Sequence, residues 1–284
     1  ATPVIHPDNI PEVVRKAFKI AQTEKPGACH IELAEDIAHM EAAGAPLRVD
    51  KTRRPVPADK VVNRAWELIR KAERPVILAG NGCVRRRASK QLREFADASN
   101  IGVLSTFMAK GAVSRHAPNC LFTMGLQARD YVSMAVEQAD LVIALGYDLV
   151  EYHPRLWNGA SDKVIVHLDF LPAEVDEFYH PEVEVVGDLG HTLWMLNQRL
   201  AAQPRIWDIP LHREVRRKMQ ADFVANAHED AEGTITPQKV LHDVREVLGP
   251  NDILLSDVGA HKMWIARYYQ CDEPNTCLIS NGFC

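Results

Sequence analysis

The hydrophobic positions of this chain change period along its length. Near the start, Val14, Ala17, Phe18 and Ala21 recur at helical spacing, Pro26-Gly27 breaks the run, and Cys29, Ile31 and Leu33 alternate with His30 and Glu32 as in a strand. One helix and one strand cannot close a core. The prolines and charges of residues 43–57 read as an extended surface linker. From residue 58 helical patterns alternate with short apolar runs. A helix on Val61, Ala65, Leu68, Ile69 and Ala72 precedes a strand at 75–79, and a helix on Ala88, Leu92, Phe95, Ala96 and Ser99 precedes a strand at 101–104. A helix over 128–138, strands at 141–145, 164–168 and 183–186, and a helix on Leu189, Leu193, Leu196 and Leu200 complete the series. Each run is too continuous to have one wet face, so the region is predicted as a doubly wound α/β domain whose parallel sheet is covered on both sides.

After Leu200 a charged stretch, 213–230, reads as a solvated connecting helix. Thr236 then offers a helix cap with Pro237 in the first turn, and Leu241, Val244, Val247 and Leu248 form a buried face that Gly249-Pro250 ends. A strand at 253–255, a helix over 261–269 and a strand at 276–279 begin a second α/β unit. The expected segments are therefore 1–38, a linker 39–57, a central domain 58–200, a connection 201–233 and a last segment 234–284. The first residue is not Met, and the sequence stops in a glycine-bearing loop directly after a strand. Both ends are accordingly expected to be boundaries of a piece.

Composition narrows the function classes. Lys and Arg number 33 against 38 Asp and Glu, a net charge of -5, so no general attraction to nucleic acid or an acidic membrane is expected, and a small-molecule ligand is the better default. The six cysteines have neither zinc-site spacing nor the density of a disulfide scaffold, which fits reduced thiols and a cytoplasmic location. No apolar run approaches the roughly 20 residues needed to span a bilayer. The twelve His show no pair at metal-binding helical spacing, Arg85-Arg86-Arg87 reads as a solvated basic cluster, and the five Trp fall mostly on apolar faces as core or interface residues.

Ligands of open parallel sheets bind beyond the carboxyl ends of strands, which singles out three places. Gly80-Asn81-Gly82 suits a phosphate at a helix start, or equally a tight turn. The third glycine of a dinucleotide fingerprint is missing, and no acidic residue stands about 20 positions on, so an NAD site is not expected. Gly146-Tyr147-Asp148 and Asp169-Phe170 suit a ribose, or Asp169 caps a following helix. Ser256-Asp257-Val258-Gly259-Ala260-His261 is a strand end, a small-residue turn and a helix start: its amides favour a diphosphate, with His261 as a further donor or as a simple cap.

Taken in order, these segments resemble the acetolactate synthases, a thiamine-diphosphate-dependent family. Lys25-Pro26-Gly27-Ala28-Cys29-His30-Ile31-Glu32-Leu33 is similar to the end of the family's pyrimidine-binding domain. Arg74-Pro75-Val76-Ile77-Leu78-Ala79-Gly80-Asn81-Gly82, Ala139-Asp140-Leu141-Val142-Ile143-Ala144-Leu145-Gly146 and Val185-Val186-Gly187-Asp188 resemble its Rossmann-like (DHS-like) central domain. Thr236-Pro237-Gln238, Asp257 to Trp264 and Ile279-Ser280-Asn281-Gly282 resemble the start of its diphosphate-binding domain.

The resemblance implies that two pyruvates yield 2-acetolactate and carbon dioxide, with thiamine diphosphate as electron sink and magnesium beside it. It places Val258, Gly259, Ala260 and His261 at the diphosphate, with Asn281, Gly282 and Cys284 in the adjoining loop, where Cys284 replaces a common glycine. Gly146 to Pro154, with Trp157-Asn158 and Asp169 to Glu174, looks like the catabolic branch, so FAD is not expected. It further implies a homo-oligomer with active sites between subunits. The family's activating glutamate and magnesium motif fall outside these 284 residues, so the fragment is expected to be inactive alone. The alternatives are a stand-alone nucleotide-binding module, or a relative such as pyruvate oxidase, oxalyl-coenzyme A decarboxylase or glyoxylate carboligase.

Overall fold

A computed structural model describes residues 1–49, 54–85, 88–125, 131–228 and 232–280. The chain forms two compact units, Ala1–Arg54 and Pro55–Cys284.

In the first unit, strand β1 (Thr2–Val4) lies parallel to β2 (Ile31–Leu33), with Val4 opposite Leu33. Helix α1 (Ile10–Gln22) takes Pro11 in its first turn, and the short α2 (Glu35–Ala38) follows β2. The expected helix and strand are present, and the three-residue β1 is an addition too short to carry a readable pattern. The unit leaves its apolar face open. Phe18 and Ile20 are exposed, and Ile10, Val14, Phe18, Pro46 and Leu47 line an open hollow of about 390 Å³.

The second unit is built on a six-stranded, all-parallel sheet of β3 (Pro75–Ala79), β4 (Val103–Ser105), β5 (Cys120–Thr123), β6 (Leu141–Leu145), β7 (Val164–Asp169) and β8 (Val183–Val186), in the spatial order β5-β4-β3-β6-β7-β8. Every residue of β3 and β6 is buried, as their unbroken Val, Ile, Leu and Ala runs require. Sequence order reverses direction between β3 and β6, which makes their carboxyl ends the switch point of a doubly wound sheet.

Helices cover the sheet. The second-unit helices begin with α3 (Asp59–Lys71), which buries Val62, Ala65, Trp66 and Ile69, one stripe at helical spacing. The four-residue α4 (Asn81–Val84) follows β3, and α5 (Ser89–Ser99) ends on Asn100 in the left-handed conformation, a C-terminal signal that asparagine tolerates. After α6 (Tyr131–Glu137) comes α7 (Leu189–Ala202), where Asp188 accepts from the His191 amide at 2.9 Å as an N-cap. α7 packs against α3 and α5, while α8 (Pro210–Ala225) packs against α6 and β5.

Two expectations change here, and one falls outside the described residues. The edge strand β5 was not predicted, although its four residues are all buried. The expected helix start at 128 falls among residues 126–130, outside the described ones. Asp169 caps no helix, because the β7-to-β8 crossover runs through turns with a single bridge between Asp176 and Tyr179. Its carboxylate accepts from the Phe170 amide at 2.5 Å, and its carbonyl accepts from Gly187 N–H at 2.8 Å.

The last segment comprises α9 (Pro237–Val247), β9 (Leu254–Ser256), α10 (Ala260–Tyr268) and β10 (Cys277–Ile279), with β9 and β10 paired in parallel. Thr236 caps α9 by accepting from Lys239 N–H at 3.3 Å. A second core gathers Leu241, Ile265, Ala266, Tyr269, Cys271, Cys277 and Ile279 around Phe107 of the central region. Inside it Arg245 is buried, donating to Tyr269 Oη at 2.8 Å and to the carbonyls of Leu248 and Gly249. Of the tryptophans, Trp66, Trp157 and Trp207 are core, whereas Trp194 and Trp264 are exposed. Arg86 and Arg87 lie outside the described residues. Among the described residues no helix is long and apolar enough to cross a membrane.

Candidate functional site

Two strand ends in the second unit bring together residues singled out by sequence. At the switch point, Gly80 follows β3 and Gly146 follows β6. Gly80 N–H donates to Leu145 O and Gly82 N–H to Gly146 O, each at 2.8 Å. A Cβ on Gly80 would stand 2.4 Å from Gly146 O, and one on Gly82 would stand 2.6 Å from Gly146 Cα. Gly146 itself has φ +56°. The two turns are therefore pressed backbone to backbone, and the amide that a phosphate would need is spent within the protein. Of the two readings of Gly80-Asn81-Gly82, the geometry matches the tight turn.

Tyr147, the residue after Gly146, turns inward. Tyr147 is buried between Trp157 and Tyr179, accepts from Trp157 Nε1 at 3.1 Å and donates to the Tyr152 carbonyl. His167 bonds Tyr179 Oη at 2.8 Å, extending the cluster beneath. Glu151 is the chemically unusual member. Burial, helped by the Asp148 charge and only partly offset by the Thr106 hydroxyl and Arg85, raises its carboxyl from 4.5 to about 7. Sequence reasoning passed over Glu151, because its burial depends on the return of the chain under Thr106 and not on its neighbours in sequence.

The second place is the end of β9. Asp257 accepts from Val258 N–H at 2.7 Å through its own carboxylate, and Gly259 adopts φ +153°, a conformation reserved for glycine. Gly259 brings no capping side chain to α10. In the first turn of that helix Lys262 N–H donates to the Gly259 carbonyl at 3.1 Å, and the amides of Ala260 and His261 ahead of it are the ones positioned for an anion. His261 folds back over the turn, its Nε2 lying 3.0 Å from the Asp257 carbonyl. A carbonyl only accepts, so Nε2 carries the proton. Val258, Gly259, Ala260 and His261 are all exposed on this turn.

The register of the strand pair, Leu254 with Cys277 and Ser256 with Ile279, sets the ends of β9 and β10 side by side, closed by Ser280 N–H donating to Ser256 O at 3.0 Å. Asn281, Gly282 and Cys284 lie outside the described residues. A separate hollow of about 420 Å³ lies under α8 and α9, lined among others by Arg115, His116, His228, His242 and Tyr268. Of the residues that carry the family resemblance, Gln238 lines it, and none of the described candidate site residues does. Among the described residues no three His, Cys, Asp or Glu side chains are grouped to hold a metal.

Residues 62–196 match the family described as the thiamine pyrophosphate enzyme, central domain, the span that holds the six-stranded sheet. An acetolactate synthase of Bacillus subtilis is 29% identical over 96% of this chain and 48% of its own length. A probable acetolactate synthase large subunit of Methanocaldococcus jannaschii is 31% identical over 97% of this chain and 49% of its own. A catabolic acetolactate synthase of Raoultella terrigena is 31% identical over 99% of this chain and 51% of its own. The chain spans about half the length of the curated relatives it matches.

Proposed function

We propose, on the premise that this chain carries the central domain of the thiamine pyrophosphate enzymes, that it is a stretch of an acetolactate synthase acting on pyruvate. The observation that carries the reading is the similarity to acetolactate synthases over 96–99% of the chain, well beyond the central domain alone. When bound, thiamine diphosphate supplies the electron sink for decarboxylation and for carbon–carbon bond formation.

The turn at the end of β9 fits the diphosphate of that cofactor. It offers a helix start with no side-chain cap from its N-cap residue, a glycine at φ +153° that lets an anion approach the backbone, and an imidazole N–H already directed at an oxygen acceptor. In the intact enzyme Val258, Gly259, Ala260 and His261 hold the diphosphate, with Asn281, Gly282 and Cys284 in the adjoining loop. His261 Nε2–H then exchanges the Asp257 carbonyl for a phosphate oxygen. On this reading the central domain takes no FAD, because Gly146 to Pro154 looks like the catabolic branch. Magnesium, a homo-oligomeric assembly, a cytoplasmic location and inactivity of the 284-residue piece alone follow from the resemblance.

The test uses the complete protein that contains these residues. Acetolactate is expected from pyruvate with thiamine diphosphate and magnesium, without bound FAD after gel filtration. Turnover of a different 2-oxo acid or an acyl-coenzyme A in place of pyruvate would overturn the substrate assignment. His261→Ala is expected to weaken thiamine diphosphate about ten- to a hundredfold in a binding titration, the worth of a hydrogen bond to a charged group. Unchanged affinity with a lower melting temperature without cofactor would leave His261 as a local cap.

A further inference from the structure

Beside the second core lies a charge that hydrophobic packing does not explain. Lys110 is 4% exposed, and its Nζ donates to Thr123 Oγ1 at 3.1 Å and to the Ala266 carbonyl at 2.8 Å, both neutral acceptors. A buried ammonium is costly unless something negative stands near it. The Ala266 carbonyl supplies this in part. It belongs to the last turn of α10, where the final four carbonyls lack partners within the helix and carry the negative end of its dipole. Lys110 therefore closes the C-terminal end of the helix whose N-terminal end carries the turn at 258–261.

On its other side Lys110 is anchored to the central sheet. Thr123 ends β5, Ser105 ends β4, and their hydroxyl oxygens lie 3.1 Å apart. Ser105 spends its one proton on the Phe122 carbonyl at 3.4 Å, so Thr123 donates to Ser105 and accepts from the ammonium. The residues around Lys110 reach the same small sheet. Phe107 and Met108 precede it in a 3₁₀ turn, Phe107–Ala109. The Phe107 ring lies 5.2 Å from Lys262 Nζ, in the first turn of α10, and Met108 Sδ accepts from the Ile279 amide at 3.3 Å, at the end of β10. Gly111, at φ +80°, passes so close to the link between α10 and β10 that a Cβ there would be 2.0 Å from Glu273 O. Residues 107–111 thus hold α10 at both ends and β10 at its carboxyl end, and Lys110 supplies the charged, directional contact among them.

We propose that Lys110 is a positioning residue for thiamine diphosphate: by binding the C-terminal end of α10 and tying it to β4 and β5, it fixes where the Ala260 and His261 amides and the His261 imidazole meet the diphosphate. This rests on the reading of 258–261 as the diphosphate turn. Lys110 itself touches neither cofactor nor substrate and acts through the helix. α10 has nine residues, too few to hold a helix in water unaided, so its place is set by what its sides and ends touch. Of those nine residues Ile265 and Ala266 are buried, which leaves few apolar contacts to share the task with the Lys110 bond. Losing that bond frees the Ala266 end of the helix from the sheet, and the opposite end, with its anion-facing amides, is displaced with it.

The test uses the complete protein that contains these residues, with thiamine diphosphate titrated in a calorimeter at saturating magnesium. Lys110→Met keeps an unbranched side chain and removes its charge and donors. It is expected to weaken the cofactor at least about tenfold and, without cofactor, to speed hydrogen exchange of the α10 amides while those of β3 and β6 keep their rates. A double-mutant cycle separates positioning from general destabilisation: in a His261→Ala background the loss from Lys110→Met is expected to shrink by at least about threefold. Thr123→Val removes only the sheet-side acceptor and is expected to weaken binding about threefold, which decides the matter if Lys110→Met fails to fold. Unchanged affinity in a folded Lys110→Met, or in Thr123→Val where the first variant does not fold, would overturn the proposal. So would strictly additive losses in the cycle. A wild type that binds no thiamine diphosphate would sink the reading of the turn and Lys110's role together, whereas a binding wild type with unaltered variants sinks the Lys110 role alone.

Discussion

The two parallel sheets of the second unit differ in how completely they enclose their own apolar surface. In the six-stranded sheet β3 and β6 are buried at every position. In the β9–β10 pair Leu255 is 71% exposed, and the adjoining Val258 and Trp264 are also open to solvent. The first sheet has six strands and helices packed about it. The second has two strands, and it completes its small core only by borrowing Phe107 from the first. Strand pairing alone does not make a stable layer; the number of strands and the helices covering them do. The candidate cofactor turn belongs to the open region, while the closed region holds titratable groups such as Glu151 out of water.

The largest effect should come from breaking the closed sheet. Leu78→Ala, at a fully buried position of β3, should cost about 2–5 kcal/mol in urea unfolding. A loss under 1 kcal/mol would show that the sheet is not the stability centre.

The next effect is electrostatic. Glu151 is raised from 4.5 to about 7, so the folded chain holds the extra proton in that window and its stability falls as pH rises from about 4.5 through 7. His212, lowered by burial from 6.5 to about 4, works the other way: the unfolded chain binds the extra proton, and stability falls as pH drops from 6.5 through 4. Each is worth up to about 3 kcal/mol, and between 4.5 and 6.5 they oppose each other. Glu151→Gln should gain on wild type as pH rises toward 8, and His212→Gln should gain as pH falls toward 4. Stability differences that stay constant from pH 4 to 8 would count against both buried charges.

Smaller still is the effect inside the second core. Tyr269→Phe removes one of the three acceptors of a buried Arg245 and should cost about 1–3 kcal/mol. Its melting transition should separate from that of the central sheet if the last segment unfolds independently, and should coincide with it if Phe107 ties them together. The smallest is Leu255→Ser, expected to change stability by less than about 0.5 kcal/mol because the side chain is already in water. A larger loss in the intact protein than in this chain would mean that the open face is covered there.

Much of this architecture was legible from local pattern. β3 and β6 have the predicted bounds, and the turn at 257–261 lies between a strand and a helix as its residues imply. β5 was missed although Cys120-Leu121-Phe122-Thr123 is a continuous apolar run, because its flanks carry no helical pattern to mark it as one more repeat of the alternation. The glycines at 80, 82 and 146 were legible as turns, but their pressing together was not, since it joins strands more than 60 residues apart in sequence.

Sequence alone determined the period of each element, the parallel character of the central sheet and the chemistry available at its strand ends, because backbone geometry imposes a short repeat that survives in local composition. Tertiary structure alone decided which groups lost water and which met. It pressed the turns of the switch point backbone to backbone, raised Glu151 and left Lys110 among neutral acceptors. Desolvation and proximity depend on residues distant in the chain, and no local period records them.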